Sequence, residues 1–315
     1  MSLVLLISVG FNLMLYSAYH TYLGTGEGVV ERFYSGDLAA PDKIALVYVV
    51  GTIVPPFTGR VLKAVEQAGT DEHVKGVVLV VDSPGGLVAD SHEIYHQLRR
   101  LDQERHKPIY VAMRRLAASG GYYVSMGAGP DGLIFAEPTT WTGSIGVIIP
   151  HYDASGLADK LGVKDDSLKT GKFKDTLSLF RPVSSAEKDL WSPILDDSLN
   201  RFVQVIVDSR KMLNAKQIRD LATGQIFTSN QAQEKKLIDK IGYVDDAVEA
   251  LKTKLQLSKV RVVKYDSSQS LLETLLSSRA SGARPQSQLN ALLEAAVPRA
   301  YYLFSTMPGF ADPPR

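Results

Sequence analysis

The chain is 315 residues long and carries 35 Lys and Arg against 34 Asp and Glu, so its formal charge of +1 offers no field for gathering a nucleic acid or another polyanion. It has no cysteine, which excludes disulfides, thiolate metal sites and a cysteine nucleophile together while leaving the compartment open. The length suits one large domain or two smaller ones, and composition does not divide it.

From Ser2 to Gly26 there is no Asp, Glu, Lys or Arg, and Leu3 to Tyr19 is mostly apolar, enough helix to cross a hydrocarbon core. Tyr16, Tyr19 and Tyr22 gather at the far end, where aromatic rings favour a membrane interface. A cleaved signal peptide is the rival reading, but no Lys or Arg precedes the run and Ser17-Ala18-Tyr19 is a poor cleavage site. The expectation is a single-pass anchor over residues 1–24 that binds the chain to a cell membrane. The flank that follows carries Glu27, Glu31, Asp37 and Asp42 against Arg32 and Lys43, which disfavours a cytoplasmic location for the main body. Its glycines and Pro41 make residues 25–42 read as a linker.

A folded domain is expected over residues 43–265, in which strand and helix signals alternate. Ile44 to Val50, Val77 to Val81 and Ile109 to Met113 are continuous apolar runs, as in strands buried on both faces. Val61, Val65 and Ala68, then Ile94, Leu98 and Leu101, recur at helical spacing between them, so the order is β-α-β with parallel strands. Shorter apolar pieces follow at Leu133 to Phe135 and Ile145 to Ile149, with a helix pattern from Ala154 to Leu161. Ser184 and Glu187 stand in a capping-box relation at the start of a long amphipathic helix that runs to about Met212. A turn-and-helix unit from Gly224 to Gly242, a helix from Val244 to Leu255 and a last strand from Val260 to Tyr265 complete the domain. Residues 266–315 are rich in serine, with leucine pairs that suggest short amphipathic pieces docking on a neighbouring subunit or on the chain's own surface.

Two loops carry the chemistry. Asp82-Ser83-Pro84-Gly85-Gly86 ends one parallel strand, and its glycines suit either an ordinary turn or backbone N–H groups turned toward an oxyanion. Ala117-Ala118-Ser119-Gly120-Gly121-Tyr122-Tyr123 follows the next strand, where Ser119 is either a helix N-cap or an accessible hydroxyl nucleophile. In a parallel sheet these two loops emerge on the same edge and face one crevice. A serine nucleophile needs a base. Among the six histidines, His20, His73, His92, His96, His106 and His151, only His151 suggests a partner, with Asp153 near it. His92 and His96 have the i, i+4 spacing of a zinc pair but read better as a solvated helix face. The other base is a lysine made neutral by desolvation, with Lys164, Lys169, Lys172 and Lys174 as candidates that spacing does not separate.

Taken together, Asp82 to Gly86, Ala117 to Tyr123, Thr142-Gly143-Ser144-Ile145-Gly146-Val147 and Lys169-Thr170-Gly171-Lys172-Phe173-Lys174-Asp175 resemble, in order and spacing, the signal peptide peptidase A (protease IV) family. Gly224 to Gly242 also looks like a segment of that family. The chain departs from the family pattern at Ser178-Leu179, where Ser-Pro is usual. The resemblance implies an α/β fold of ClpP/crotonase type, a superhelical stack of β-β-α units. It implies Ser119 as nucleophile and Lys174 as general base. It further implies Gly86, with Gly85 beside it, at the oxyanion hole, and Ser144 supporting the lysine amine. No metal or cofactor is implied. The expected activity is that of a membrane-anchored serine endopeptidase acting on remnant signal peptides and other unfolded, apolar-rich polypeptides outside the cytoplasm. The single-length form implies a homo-oligomeric ring or dome with Ser119 and Lys174 contributed by adjacent subunits. A crotonase-type acyl-CoA enzyme, needing a carboxylate such as Asp82 or Asp175 in the crevice, and an inactive membrane scaffold are the alternatives.

Overall fold

Three β-branched runs pair in parallel at the centre of a mixed α/β molecule, described over residues 29–267 and 300–304 in a computed structural model. They are β2 (Lys43–Val50), β3 (Val74–Ser83) and β5 (Ile109–Ala118), aligned so that Val47, Leu79 and Val111 lie side by side. Both faces of these strands are covered, which is why they read as unbroken apolar runs. On one face Val47, Leu79 and Val111 meet α1 (Phe57–Thr70) through Val61 and Val65, and α2 (Val88–Arg105) through Ile94 and Leu98. On the other face Leu46, Val78 and Tyr110 meet Val248 and Leu251 of the helix Val244–Lys254.

The described residues build a nine-stranded sheet around this centre. A short strand, β4 (Gly85–Leu87), leaves β3 after Pro84 and stands outside that sheet. β5 continues past Met113 to Ala118, and a different partner holds each half of it. β6 (Ile134–Ala136) pairs the first half, and β7 (Trp141–Gly143) pairs the second, with Ala118 beside Gly143. The helix α3 (Gly120–Ser125) starts directly after Ser119.

Beyond β7 the segment expected as an apolar piece, Ile145 to Ile149, forms no strand. Ile148 instead makes a single antiparallel bridge to Tyr301. Between β7 and α5 (Ser185–Ser209) lies α4 (Ser155–Leu161), and α5 begins at the expected capping box, with Glu187 N–H donating to Ser184 Oγ at 3.4 Å and Ser184 N–H to Glu187 Oε2 at 2.9 Å. α6 (Ala215–Leu221), β8 (Ile226–Thr228), α7 (Ser229–Glu234), β9 (Lys240–Ile241) and α8 (Val244–Lys254) follow.

β10 (Arg261–Ser267) returns to lie parallel to β2, and β1 (Val29–Gly36) runs antiparallel on its outer side. The stretch read as a linker over residues 25–42 therefore contains an edge strand. Its β-branched and aromatic residues, Val29, Val30, Phe33 and Tyr34, carry the strand signal that Gly36 and Pro41 had masked in the composition. The strand is pinned by Lys43, whose Nζ lies 2.7 Å from Glu31 and 2.9 Å from Asp71. No helix among the described residues is long and apolar enough to cross a membrane, and the anchor expected over residues 1–24 lies outside them. So do the leucine pairs of the tail. The first two residues of the tail end β10, and further on β11 (Tyr301–Leu303) pairs antiparallel with β4 of its own chain.

Candidate active site

Small residues converge where β5 ends. Ser119 sits at φ 54°, ψ −114°, a conformation that costs a non-glycine residue strain and is held only when its surroundings over-determine it. Three bonds do that. The Ser119 N–H donates to the Gly143 carbonyl at 2.8 Å, its carbonyl accepts from Tyr123 N–H at 2.8 Å, and the Thr142 hydroxyl donates to the Ala117 carbonyl at 2.6 Å. The Thr142-Gly143-Ser144 motif thus fixes the end of the neighbouring strand. Ser119 occupies the N-cap position of α3, yet its side chain makes no capping hydrogen bond. The hydroxyl is therefore not spent on the helix, which separates it from the ordinary N-cap that the sequence equally allows.

The glycines are explained by how closely the two loops approach. A Cβ on Gly120 would lie 2.6 Å from Ser91 Oγ and 3.0 Å from the Gly86 nitrogen, and one on Gly121 would lie 2.7 Å from the Ser83 carbonyl oxygen. A Cβ on Gly86 would lie 2.0 Å from the Ile53 carbonyl oxygen, and Gly85 holds φ +100°. The backbones of Gly86 and Gly120 are consequently neighbours beside Ser119. The Gly120 N–H, first amide of α3, has no intrahelical acceptor. Its position was not singled out in the sequence, although the residue after a strand-end serine is where such an amide arises. Gly85 differs from Gly86, because its N–H donates to Ser83 Oγ at 3.1 Å.

Ser144, 6% exposed and at φ 49°, lies next to the same opening, its N–H donating to the Gln225 carbonyl at 2.7 Å. Ser119, Ser144, Ile148, Gly224, Leu303 and Phe304 help line a cavity of about 480 Å³. Of the residues expected at the site, Ser119, Gly85, Gly86 and Ser144 are brought together. Lys174 is not: it is exposed, on the loop before Phe180, and does not line this cavity.

Local contacts engage some of the candidate bases but do not choose between Lys164 and Lys174, both exposed. Lys169 is ion-paired with Asp175, and Lys172 stands 5.2 Å from the centre of the Phe173 ring. Lys174 makes no ion pair or hydrogen bond through its amine to a described residue. His151 donates from Nε2 to the Ser178 carbonyl at 3.0 Å, within the same segment, and His92 turns inward with Nδ1 2.7 Å from the Tyr123 hydroxyl. His92 is thus half-buried rather than part of a solvated face, and burial lowers its pKa. The carboxylates that an acyl-CoA enzyme would require are both occupied. Asp82 is paired with Arg115 at 2.7 Å, and Asp175 is held by Lys169 and Arg181, which lower its pKa to about 2. Arg181 also forks onto Glu187, at 2.8 and 2.6 Å, so the Lys174 loop is tied to the first turn of α5.

Residues 101–258 match the profile of Peptidase family S49, half of the chain. Among curated proteins, the chain is 41% identical over 195 residues to a putative signal peptide peptidase SppA of Enterococcus faecium, covering 62% of this chain and 55% of that protein. It is 36% identical over 205 residues to a putative protease of Synechocystis sp., covering 65% and 72%, respectively. With Protease 4 of Haemophilus influenzae it shares 31% identity over 293 residues, covering 84% of this chain and 47% of that one. The chain thus spans between about half and three quarters of the length of these relatives.

Proposed function

Because the chain belongs to peptidase family S49, we propose that it is a serine endopeptidase in which Ser119 attacks the peptide carbonyl and Lys174 is the base. The observation that carries the reading is Ser119 itself: a strained serine at a strand-to-helix turn, its hydroxyl unused by the helix, beside the Gly86 and Gly120 backbones. The Gly86 and Gly120 N–H groups stabilise the oxyanion that forms on attack, and Gly85 shapes the turn that presents them. The neutral amine of Lys174 takes the hydroxyl proton and returns it to the leaving amine. Water then hydrolyses the acyl-enzyme with the same amine as base. In this reading Ser144, which lines the same cavity as Ser119, accepts a hydrogen bond from the lysine amine.

One chain alone does not complete this site. Lys174 is exposed on a segment whose apolar side chains also face outward, including Leu161, 70% exposed, Leu168, fully exposed, and Phe180, 48% exposed. An apolar surface of that kind fits a second copy of the chain. We therefore place the dyad between subunits of a ring or dome, with Lys174 of one chain serving Ser119 of the next. The ClpP/crotonase-type superhelical fold belongs to this reading, as does an N-terminal anchor that holds the assembly on a membrane outside the cytoplasm. The substrates are remnant signal peptides and other unfolded polypeptides, suited by a cavity partly lined by Val147, Ile148 and Leu303.

A fluorophosphonate probe tests the chemistry in detergent. Labelling of the wild type at Ser119, none of Ser119→Ala and at least about hundredfold slower labelling of Lys174→Ala are expected. Unchanged labelling of Lys174→Ala would remove the lysine from the mechanism.

A further inference from the structure

One buried hydroxyl beside the candidate site is left unpaired. Ser91, the fourth residue of α2, is fully buried, yet its Oγ makes no hydrogen bond to a described residue. A helical serine ordinarily turns its hydroxyl back to the carbonyl four residues earlier, as Ser125 does to Gly121 at 2.8 Å and Ser198 to Ile194 at 3.0 Å. Ser91 does not. A buried donor without an acceptor lowers stability, so its presence asks for an explanation. Its oxygen faces Gly120 instead. The place that a Cβ on Gly120 would take lies 2.6 Å from Ser91 Oγ, 3.0 Å from Gly85 Cα and 3.0 Å from the Gly86 nitrogen.

Those neighbours matter because Gly120 cannot hold itself. A glycine tolerates many backbone conformations, and Gly120 joins the strained Ser119 to the first turn of α3. Its N–H is one of the two assigned to the oxyanion, so a small rotation of the peptide between Ser119 and Gly120 would turn that donor away from the reacting oxygen. The hydrogen that stands where a side chain would be points toward Ser91 Oγ, a Cα–H···O contact to an oxygen that no described donor engages. Ser91 is itself firmly seated. Asp90 beside it accepts from the Thr58 hydroxyl at 2.6 Å, which ties the first turn of α2 to the first turn of α1. At the start of α2, Leu87 N–H donates to the Ile53 carbonyl at 2.9 Å. The helix that follows the Gly85-Gly86 loop thus carries the hydroxyl that meets the Gly120 loop, and one side chain links the two oxyanion donors.

We infer that Ser91 is a positioning residue of the peptidase reaction: its hydroxyl oxygen fixes Gly120, and with it the direction of the Gly120 N–H. The inference rests on the serine peptidase reading and adds to that site a side chain that does not touch the substrate. Removing the oxygen acts in opposite directions on fold and on chemistry. The unpaired buried group disappears, which favours the folded state, while Gly120 loses the neighbour that orients it.

The test uses the full chain in detergent, a fluorogenic peptide and urea unfolding. Ser91→Ala is expected to unfold at the wild-type urea midpoint or above it, while kcat falls about tenfold and KM stays within about twofold. A residue with only a packing role shows the reverse, a lower midpoint with kcat kept, and that result overturns the inference. The second measurement is a double-mutant cycle with Gly120→Ala, whose methyl displaces the Ser91 oxygen. In that background Ser91→Ala is expected to cost less than about twofold in kcat, because the contact is already gone. Wild-type kcat in folded Ser91→Ala overturns the inference, and so does the same loss repeated in the Gly120→Ala background. If Ser91→Ala does not fold, Ser91→Cys decides: its larger atom presses on Gly120, so a lower kcat at unchanged KM is expected and wild-type kcat overturns the inference. Ser119→Ala separates the two readings. If it is inactive, failure at Ser91 leaves the peptidase reading standing, whereas full hydrolysis by Ser119→Ala overturns both.

Discussion

At Ser119 the backbone takes a conformation that a short loop could not hold alone, and the residues around it are small because the 83–86 loop passes within contact of it. This makes the glycines unequal to ordinary turn glycines. Gly86→Ala would set a methyl 2.0 Å from the Ile53 carbonyl oxygen, a clash with backbone that has no flexible side chain to yield, so the expected cost is about 3 kcal/mol or more in a denaturant titration. Gly120→Ala meets the Ser91 hydroxyl first, at 2.6 Å, and so is expected to fold while moving the N–H beside Ser119. Its signature is a fall in kcat of about hundredfold with little change in KM. A fall in stability with kcat preserved would mean that the Gly120 amide takes no part. Much of this was legible in the sequence. The runs Pro84-Gly85-Gly86 and Ser119-Gly120-Gly121 announce two close-packed loops at one sheet edge. The identity of the second amide was not legible, because it depends on which backbone nitrogens the packing leaves without acceptors.

At the scale of elements, two charged joints hold the parts that bear on the site. Arg210, 4% exposed at the end of α5, makes paired 2.8 Å bonds to Asp239, whose carboxylate also accepts the Ile134 N–H at 2.8 Å and so joins α5 to β6. Arg210→Ala leaves that carboxylate short of its partner in a half-closed site, and a loss of about 3 kcal/mol in unfolding free energy is expected. The second joint is the pair of carboxylates, Asp175 and Glu187, bridged by Arg181. Lys169 and Arg181 hold the Asp175 carboxyl at about 2, below its unfolded value, so the stabilisation is complete above that unfolded value, near pH 4, and is lost as pH falls toward 2. Amide exchange across residues 165–181 is expected to quicken in that interval before the central sheet opens. Protection that stays flat down to pH 2 would contradict the joint.

The strands and long helices were legible because their patterns are long and periodic. β1 was not, since turn residues on both sides dominated the stretch, and β11 was not, since three residues in a serine-rich tail carry no period. Ile145 to Ile149 misled for the opposite reason. It is apolar because it borders the cavity and receives Tyr301, not because it lies inside a sheet.

At the scale of the whole molecule, the parts of the proposed site fall into two groups. Ser119 and Ser144 line one cavity, with the Gly86 and Gly120 backbones beside Ser119, whereas Lys174 stands on an exposed, apolar-faced loop of the same chain. No spacing in a sequence distinguishes a base that folds back onto its own serine from one that serves a neighbour, so the Lys174 motif was readable while its partner was not. In the proposed assembly the outward apolar side chains form the contact between copies of the chain. A shared site also makes each chain incompetent until it meets another. Mixing two inactive full-length variants, Ser119→Ala and Lys174→Ala, is therefore the most direct test. If the dyad spans subunits, reassembly of an equal mixture restores about a quarter of wild-type hydrolysis, because neighbouring chains then pair an intact serine with an intact lysine at random. A mixture as inactive as either variant alone, at a concentration where the wild type is assembled and active, would contradict the account.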